Sequence, residues 1–427
     1  MGPCPSVYWS LRVRVLHVIP SLAARVGGTA TFVLDTCLTL EAHGISTSIF
    51  ATDQGHAPTT RLTSRMTAGD LASCMRSLDV TLFTSRWPHR LAYSPELSAA
   101  LEKEVARFDI VHIHNLFLFP QFAAARAARR AGVSYLVSLH GALDPYLRKR
   151  GRVRKAFNDA LWQTRMLEGA RAIHLLTEVE KQQTADIAPN VPRAVVPSGI
   201  FVENFATPVD PSLFRRAYLG GGSGPLVLYV GRISHKKGLD ILVEAFAAVH
   251  HAFPRSRLAI VGPDDECLTP GLQARARRHG IADQVIFTGP VYGDELRSAL
   301  AACDAWVLAS HTENFGIAVV EALAAGCPVI SSPGVGVASA MAKARAGLVV
   351  ELDPSAFARA ISSVLGDKVL ARRLRTRALK HAQLYDWRTV GDRFTRLYED
   401  LLSCPPPVPD ARSSLRRGGA PNGPPGC

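Results

Sequence analysis

Two clusters in the second half of the chain have the residue types and spacing to bind a diphosphate and a diol. The first is Gly231-Arg232-Ile233-Ser234-His235-Lys236-Lys237-Gly238. A guanidinium can fork two phosphate oxygens, an ammonium adds a point charge, and a glycine that opens a helix leaves amides facing an anion. A solvated basic loop would have the same composition. The second runs from His311 to Gly326 and carries two carboxylates, Glu313 and Glu321. Were both helical, a rise of ~1.5 Å per residue would separate them by about 12 Å. Paired-carboxylate glycoside hydrolysis needs ~5–5.5 Å or ~6.5–9.5 Å, so hydroxyl binding is the better use. Glu321 sits in an apolar helical run, where an unpaired carboxylate is costly. A diol or a nearby arginine would satisfy it equally. Glu313, in the loop ahead, can meet another hydroxyl. The amides of Asn314, Phe315 and Gly316 would point at anionic oxygens.

The first half offers weaker signals. Gly27-Gly28 follows the first apolar run and would let backbone amides approach a phosphate, or simply turn the chain. No G-x-G-x-x-G occurs there, which counts against a dinucleotide oxidoreductase. His140-Gly141 ends the run Tyr135-Leu136-Val137-Ser138-Leu139, the place for a cleft residue or a cap on the next segment. His112 and His114 share one strand face. A metal would need a third ligand, and none has suitable local spacing, so strand-end hydrogen bonding is expected and no metal. Asp264-Asp265-Glu266 reads as a solvated loop rather than a metal site. Arg148 to Lys155 holds six cations in eight residues. Each Lys or Arg contributes ~1 kcal/mol toward an anionic leaflet, so this run could dock on membrane, hold a lipid-pyrophosphate acceptor, or be a solvated helix face. No aromatics interleave it, so nucleic acid is not an expected partner.

These residues must be placed by elements. The chain has 427 residues, 47% hydrophobic and 20% charged, enough for two or three domains. Its net charge of +13 favours anionic partners without choosing among them. Eight cysteines form no C-x-x-C clip and several lie in apolar runs, as in a reduced cytoplasmic protein. No apolar stretch reaches the ~18 residues of a membrane span, which suits a cytoplasmic chain at most peripheral on the membrane. Short β-branched runs alternate with helical patterns, the mark of a mostly parallel α/β sheet. Strands are expected at Val13–Ile19, Ser46–Ala51, Val80–Thr84, Asp109–His114, Ser134–Leu139, Ala172–Leu176 and Ala194–Val196. After the break at Gly220–Pro225 the pattern restarts with Leu226–Gly231, so each half is its own doubly wound unit. Open sheets bind ligands at the carboxyl ends of their strands. Both clusters fall at such ends.

Together the two clusters resemble a known family. G-R-x4-K-G at Gly231–Gly238 and E-x7-E at Glu313–Glu321, about 80 residues apart, are similar to the retaining GT-B glycosyltransferases of family 4, over roughly residues 12 to 402. The Glu313-Asn314-Phe315-Gly316 variant resembles enzymes that build bacterial surface polysaccharides. The resemblance implies two Rossmann-like domains facing a cleft. It implies an N-terminal extension (1–11), an acceptor domain (12–200), a linker (201–225) and a nucleotide-sugar domain (226–384). A helix at 385–404 would cross back to brace the first domain, ahead of a disordered tail (405–427). It implies that Arg232 and Lys237 hold the donor diphosphate, Glu321 the ribose, and Glu313 with Asn314–Gly316 the sugar. Val291 would lie beside the base, His140 would touch the donor from the opposite domain, and Gly28 belongs to a glycine-rich loop there. The implied reaction moves a hexose from a UDP- or GDP-sugar to a saccharide or lipid-linked acceptor, with no cofactor. A nucleotide-sugar epimerase or a non-catalytic nucleotide-sugar-binding protein remains the alternative. Ser332–Val337 lacks the family's usual glycine pair followed by a carboxylate.

Overall fold

The computed structural model describes residues 13–23, 28–55, 77–143 and 163–403. The basic run 148–155, Gly27, the extension 1–11 and the tail 405–427 lie outside the described residues.

Strands β1 (Arg14–Ser21), β2 (Ser46–Thr52), β3 (Asp79–Phe83), β4 (Ile110–His114), β5 (Ser134–Ser138), β6 (Ala172–Leu175) and β7 (Arg193–Val195) build the first sheet. Its order is β3-β2-β1-β4-β5-β6-β7, with every pair parallel. The second sheet uses β8 (Leu226–Val230), β9 (Arg257–Val261), β10 (Val285–Gly289), β11 (Ala305–Leu308), β12 (Val329–Ser331) and β13 (Gly347–Val349). Its order is β10-β9-β8-β11-β12-β13, again parallel. Parallel sheets are covered on both faces, so their strands read as continuous apolar runs. Leu-Val-Leu-Tyr-Val of β8 is buried at every position. In β4 the run Ile-Val-His-Ile-His is also buried throughout, which puts two polar side chains into a core that must satisfy them.

Strand order reverses between β1 and β4 in one sheet and between β8 and β11 in the other. At such a switch point the flanking loops diverge and leave a crevice at the strands' carboxyl ends. The loop after β8 is the Arg232–Lys237 cluster, and the loop after β11 is the Glu313–Gly316 cluster.

Six helices matter for the site: α1 (Gly28–Ala42), α2 (Glu178–Gln183), α3 (Ser212–Tyr218), α4 (Leu239–Ala252), α5 (Ile317–Ala324) and α6 (Trp387–Ser403). The stretch 201–225, expected as a linker, contains α3 and the short helix Glu203–Ala206. Phe214 of α3 is fully buried, and its amide donates to Ser298 Oγ at 2.9 Å, so α3 belongs to the second lobe's packing. The final helix crosses back onto the first lobe. The Trp387 amide donates to the Ile200 carbonyl at 3.0 Å, and the Ile200 amide donates to the Tyr385 carbonyl at 2.8 Å. A Cβ on Gly199 would sit 2.4 Å from the Trp387 ring. His43 of the first lobe pairs with Asp392 of α6 at 3.3 Å. Among the described residues no helix is long and apolar enough to cross a membrane.

Candidate active site

The basic loop after β8 is held from several sides. Tyr229 Oη donates to the Arg232 carbonyl at 2.7 Å, and the Ile233 amide donates to the Pro263 carbonyl at 2.8 Å. The His235 amide donates to Glu266 Oε2 at 2.9 Å. Asp264 accepts from the Leu268 and Thr269 amides at 2.9 and 2.8 Å. Asp264 and Glu266 are therefore braces, while Asp265 is exposed. Gly238 ends the loop at φ +59°, and a Cβ there would lie 2.1 Å from the Ala309 carbonyl oxygen. Only glycine tolerates both the left-handed backbone and that approach. α4 begins immediately after it.

The two loops are stitched together. The His311 amide and Ser310 Oγ both donate to the Lys236 carbonyl at 2.8 Å. Ser332–Val337, the segment that departs from the family pattern, forms the floor under Glu313. The Glu313 amide donates to the Gly334 carbonyl at 2.9 Å, the Gly336 amide to the Glu313 carbonyl at 2.9 Å, and the Val337 amide to the Phe315 carbonyl at 3.0 Å. Gly316 starts α5 at φ +93°, where a Cβ would meet Val335 Cγ1 at 2.5 Å.

At the centre, Lys237 Nζ lies 2.7 Å from Glu313 Oε1, with Lys236 Nζ at 3.3 Å from the same oxygen. The Lys237 and Glu313 side chains are only 14% and 13% exposed. Burial pulls the Lys237 ammonium below its ordinary value, and Glu313 pulls it back up. Burial pushes the Glu313 carboxyl up, but the two lysines outweigh it and hold it below the usual value. The site is thus a charged pair in a largely buried setting, where a further charge would be felt strongly. Arg232 is exposed, yet close enough to depress Lys237 further.

The opposite lobe meets this loop directly. With the Asn314 amide oriented to satisfy its partners, its nitrogen donates to Glu180 Oε1 at 3.1 Å and its oxygen accepts from the Gly141 amide at 3.1 Å. Glu180 of α2 is buried, and also accepts from the Gly141 amide at 2.9 Å and the Leu176 amide at 2.7 Å. Sequence reasoning passed over Glu180. Its only signal was Thr177-x-x-Glu180, a capping-box pattern, and Thr177 Oγ1 does accept from the Glu180 amide at 3.0 Å. The carboxylate then reaches the other lobe instead of closing the box.

His140 stands beside Gly141 at φ 50°, half-buried, with its ring 4.8 Å from Phe32 near the start of α1. Gly28 opens α1, and a Cβ there would meet nothing within 4 Å. Glu321 is buried within α5, 7% exposed, where Val319, Val320, Ala322 and Leu323 also bury. The Phe315 ring turns away onto Tyr385, with centroids 5.8 Å apart, which leaves its backbone as the part that can face a ligand. Val291 is 2% exposed and belongs to the second lobe's core.

His112 and His114 do have a third histidine, supplied by neighbouring β1 rather than by local spacing. Nitrogens of His17, His112 and His114 lie within 4.8 Å of one another. The His112 and His114 rings stack at 4.1 Å and 27°, and His17 stacks on His114 at 12°. Lone pairs in near-parallel rings do not converge on one ion. Five of the six nitrogens already have hydrogen-bond partners.

Comparison with known proteins follows the same division into lobes. Residues 27–199 match the glycosyl transferase 4-like domain, and residues 214–381 match glycosyl transferases group 1. A D-inositol 3-phosphate glycosyltransferase of Frankia alni is 32% identical over 327 residues, 72% of this chain and 78% of that protein. The chain belongs to the group 1 glycosyltransferases. A D-inositol 3-phosphate glycosyltransferase of Streptomyces avermitilis is 35% identical over 214 residues, 48% of this chain and 46% of that one. Anabaena HepE, solved in complex with UDP and glucose, shares the fold at a TM-score of 0.70 and 18% identity, covering 91% of this chain and all of that one. This group 1 glycosyltransferase has the two-lobed α/β architecture of GT-B enzymes.

Proposed function

We propose that the protein transfers a hexose from a nucleoside-diphosphate sugar, UDP- or GDP-linked, to an acceptor hydroxyl with retention of anomeric configuration. The observation that carries this reading is the Lys237–Glu313 pair, fed by two loops from the strands flanking one switch point, with the opposite lobe touching the same loop through Asn314 and Gly141. Arg232 and Lys237 bind the diphosphate, and Glu321 the ribose. Glu313 is shared between Lys237 and a sugar hydroxyl. When the donor's diphosphate arrives, it competes for Lys237 and frees a Glu313 oxygen for the sugar. Negative charge grows on the departing β-phosphate in the transition state, and the preset cations and loop amides stabilise it there. The bond from the anomeric carbon to the phosphate oxygen breaks as the acceptor oxygen bonds to that carbon. The acceptor proton passes to the departing phosphate on the same face. Closure of the lobes excludes water and so limits hydrolysis.

The acceptor belongs on the first lobe. A saccharide or lipid-linked saccharide, as in surface polysaccharide assembly on the cytoplasmic face of a membrane, is the first reading. A phosphorylated polyol is the second, favoured by the resemblance to the D-inositol 3-phosphate glycosyltransferases of Frankia and Streptomyces. The test incubates UDP- and GDP-sugars with saccharide, lipid-linked and inositol 3-phosphate acceptors and measures nucleoside diphosphate release. Release that depends on one acceptor, with an α-linked product from an α-linked donor, is expected. Isomerised donor without any acceptor would mark an epimerase, and binding without release would mark a non-catalytic protein.

A further inference from the structure

Beneath the cleft face of the first lobe, five histidines meet in one core: His17 of β1, His112 and His114 of β4, His140 after β5 and His174 of β6. Burial holds His17 and His140 at about 3 and His174 at about 4, and holds His112 and His114 well below the ordinary value, so all five are neutral near pH 7. A neutral imidazole has one N–H and one bare nitrogen, so each hydrogen bond constrains the next.

One file is fixed from end to end. His174 Nε2 lies 2.8 Å from the Val196 carbonyl, which only accepts, so that nitrogen carries the hydrogen. His174 Nδ1 is then bare and accepts from Ser138 Oγ at 2.6 Å. Ser138 Oγ in turn accepts from His112 Nε2 at 2.5 Å. That leaves His112 Nδ1 bare, and Tyr398 of α6 donates to it at 2.8 Å.

The second file has two possible proton orders. His17 Nδ1 faces His114 Nε2 at 3.0 Å, and His114 Nδ1 faces His140 Nε2 at 3.1 Å. Both orders keep both bonds and differ only at the ends. In one, His17 Nε2 carries a hydrogen and His140 Nδ1 is bare. In the other, His17 Nε2 is bare and His140 Nδ1 carries the hydrogen. His17 Nε2 is buried with no partner among the described residues. A buried N–H without an acceptor is the rarer and costlier state, compared with an unused lone pair.

We infer that His114, in a file whose buried end lies at His17, is a positioning residue that locks His140 as its Nδ1–H tautomer, so that it meets the donor in the cleft as a hydrogen-bond donor rather than as a base. The inference rests on the proposed placement of His140 at the donor, and it extends that placement to a residue that touches no substrate. A donor at Nδ1 matches oxygens that only accept, such as those of the departing phosphate.

The test is the side-chain 15N spectrum of the ligand-free full chain with labelled histidine, using His140→Gln to assign the signal. The expected wild-type pattern is a single Nδ1–H tautomer at His140. In His114→Leu, where His140 Nε2 has lost the N–H that it accepts from, both tautomers should appear at His140. In turnover, His114→Leu should lose roughly tenfold in kcat, one hydrogen bond's worth, with the donor KM little changed. A wild-type His140 protonated at Nε2 would overturn the inference, as would an unchanged tautomer in His114→Leu. The wild-type tautomer is read without any substrate. A locked Nδ1–H tautomer in a protein that transfers no sugar would therefore fault the functional reading and leave this one standing.

Discussion

Lys237 and Glu313 hold each other at 2.7 Å in a mostly buried setting, so neither can be removed alone without stranding its partner. Lys237→Met should destabilise the fold by up to about 3–5 kcal/mol, the range for a buried ion pair losing one partner, reduced because Lys236 remains 3.3 Å from the same oxygen. Chemical denaturation measures it, and Glu313→Gln, which keeps an oxygen for Lys237, should cost less. The pH dependence has a defined sign. Glu313 is held below its ordinary value, so its contribution is present above the usual carboxyl range and disappears as pH falls through the folded value. The five histidines of the first lobe's core and cleft edge act in the same direction at higher pH. Their folded values lie below the ordinary 6.5, so their contribution is complete above about 6.5 and declines on acidification. The denaturation midpoint should therefore already fall between pH 7 and 5, and less steeply in His17→Leu. A flat midpoint over that range would contradict burial of neutral histidines.

At the scale of elements, α6 is the brace between lobes, and its key contacts are specific. Tyr398→Phe removes the hydroxyl that donates to His112 and should cost about 1–3 kcal/mol with little change in helix content by circular dichroism. Trp387→Ala should cost about 3–5 kcal/mol, as for other buried large-to-small changes. The Asn314–Glu180–Gly141 contact is a second, smaller tie. Asn314→Ala should raise the radius of gyration in small-angle scattering while leaving helix content unchanged, and an unaltered radius would show that α6 alone sets the spacing. Much of this was legible in the chain. Val-, Ile- and Leu-rich runs marked β1, β4 and β8 because parallel strands buried on both faces cannot alternate. Glycines at 238 and 316 marked the loop-to-helix turns. The 201–225 stretch was less legible, since its terminal run of glycines masks the buried Phe214. Glu180 and the third histidine, His17, were not legible, because their partners come from distant parts of the chain and only the sheet order joins them.

Across the whole molecule, the duplicated switch-point architecture places two independent loop sets opposite each other, and the positive net charge favours a phosphorylated ligand between them. The most direct test is calorimetric titration of UDP, GDP and ADP into the wild type and into Arg232→Ala/Lys237→Ala. At least one nucleotide should bind the wild type. The double variant, checked for folding by circular dichroism, should bind it at least roughly a hundredfold more weakly, as expected when two charge-assisted contacts worth about 1.5–3 kcal/mol each are lost. Equal affinity in the folded double variant would contradict the placement of the diphosphate, and with it the account of the site.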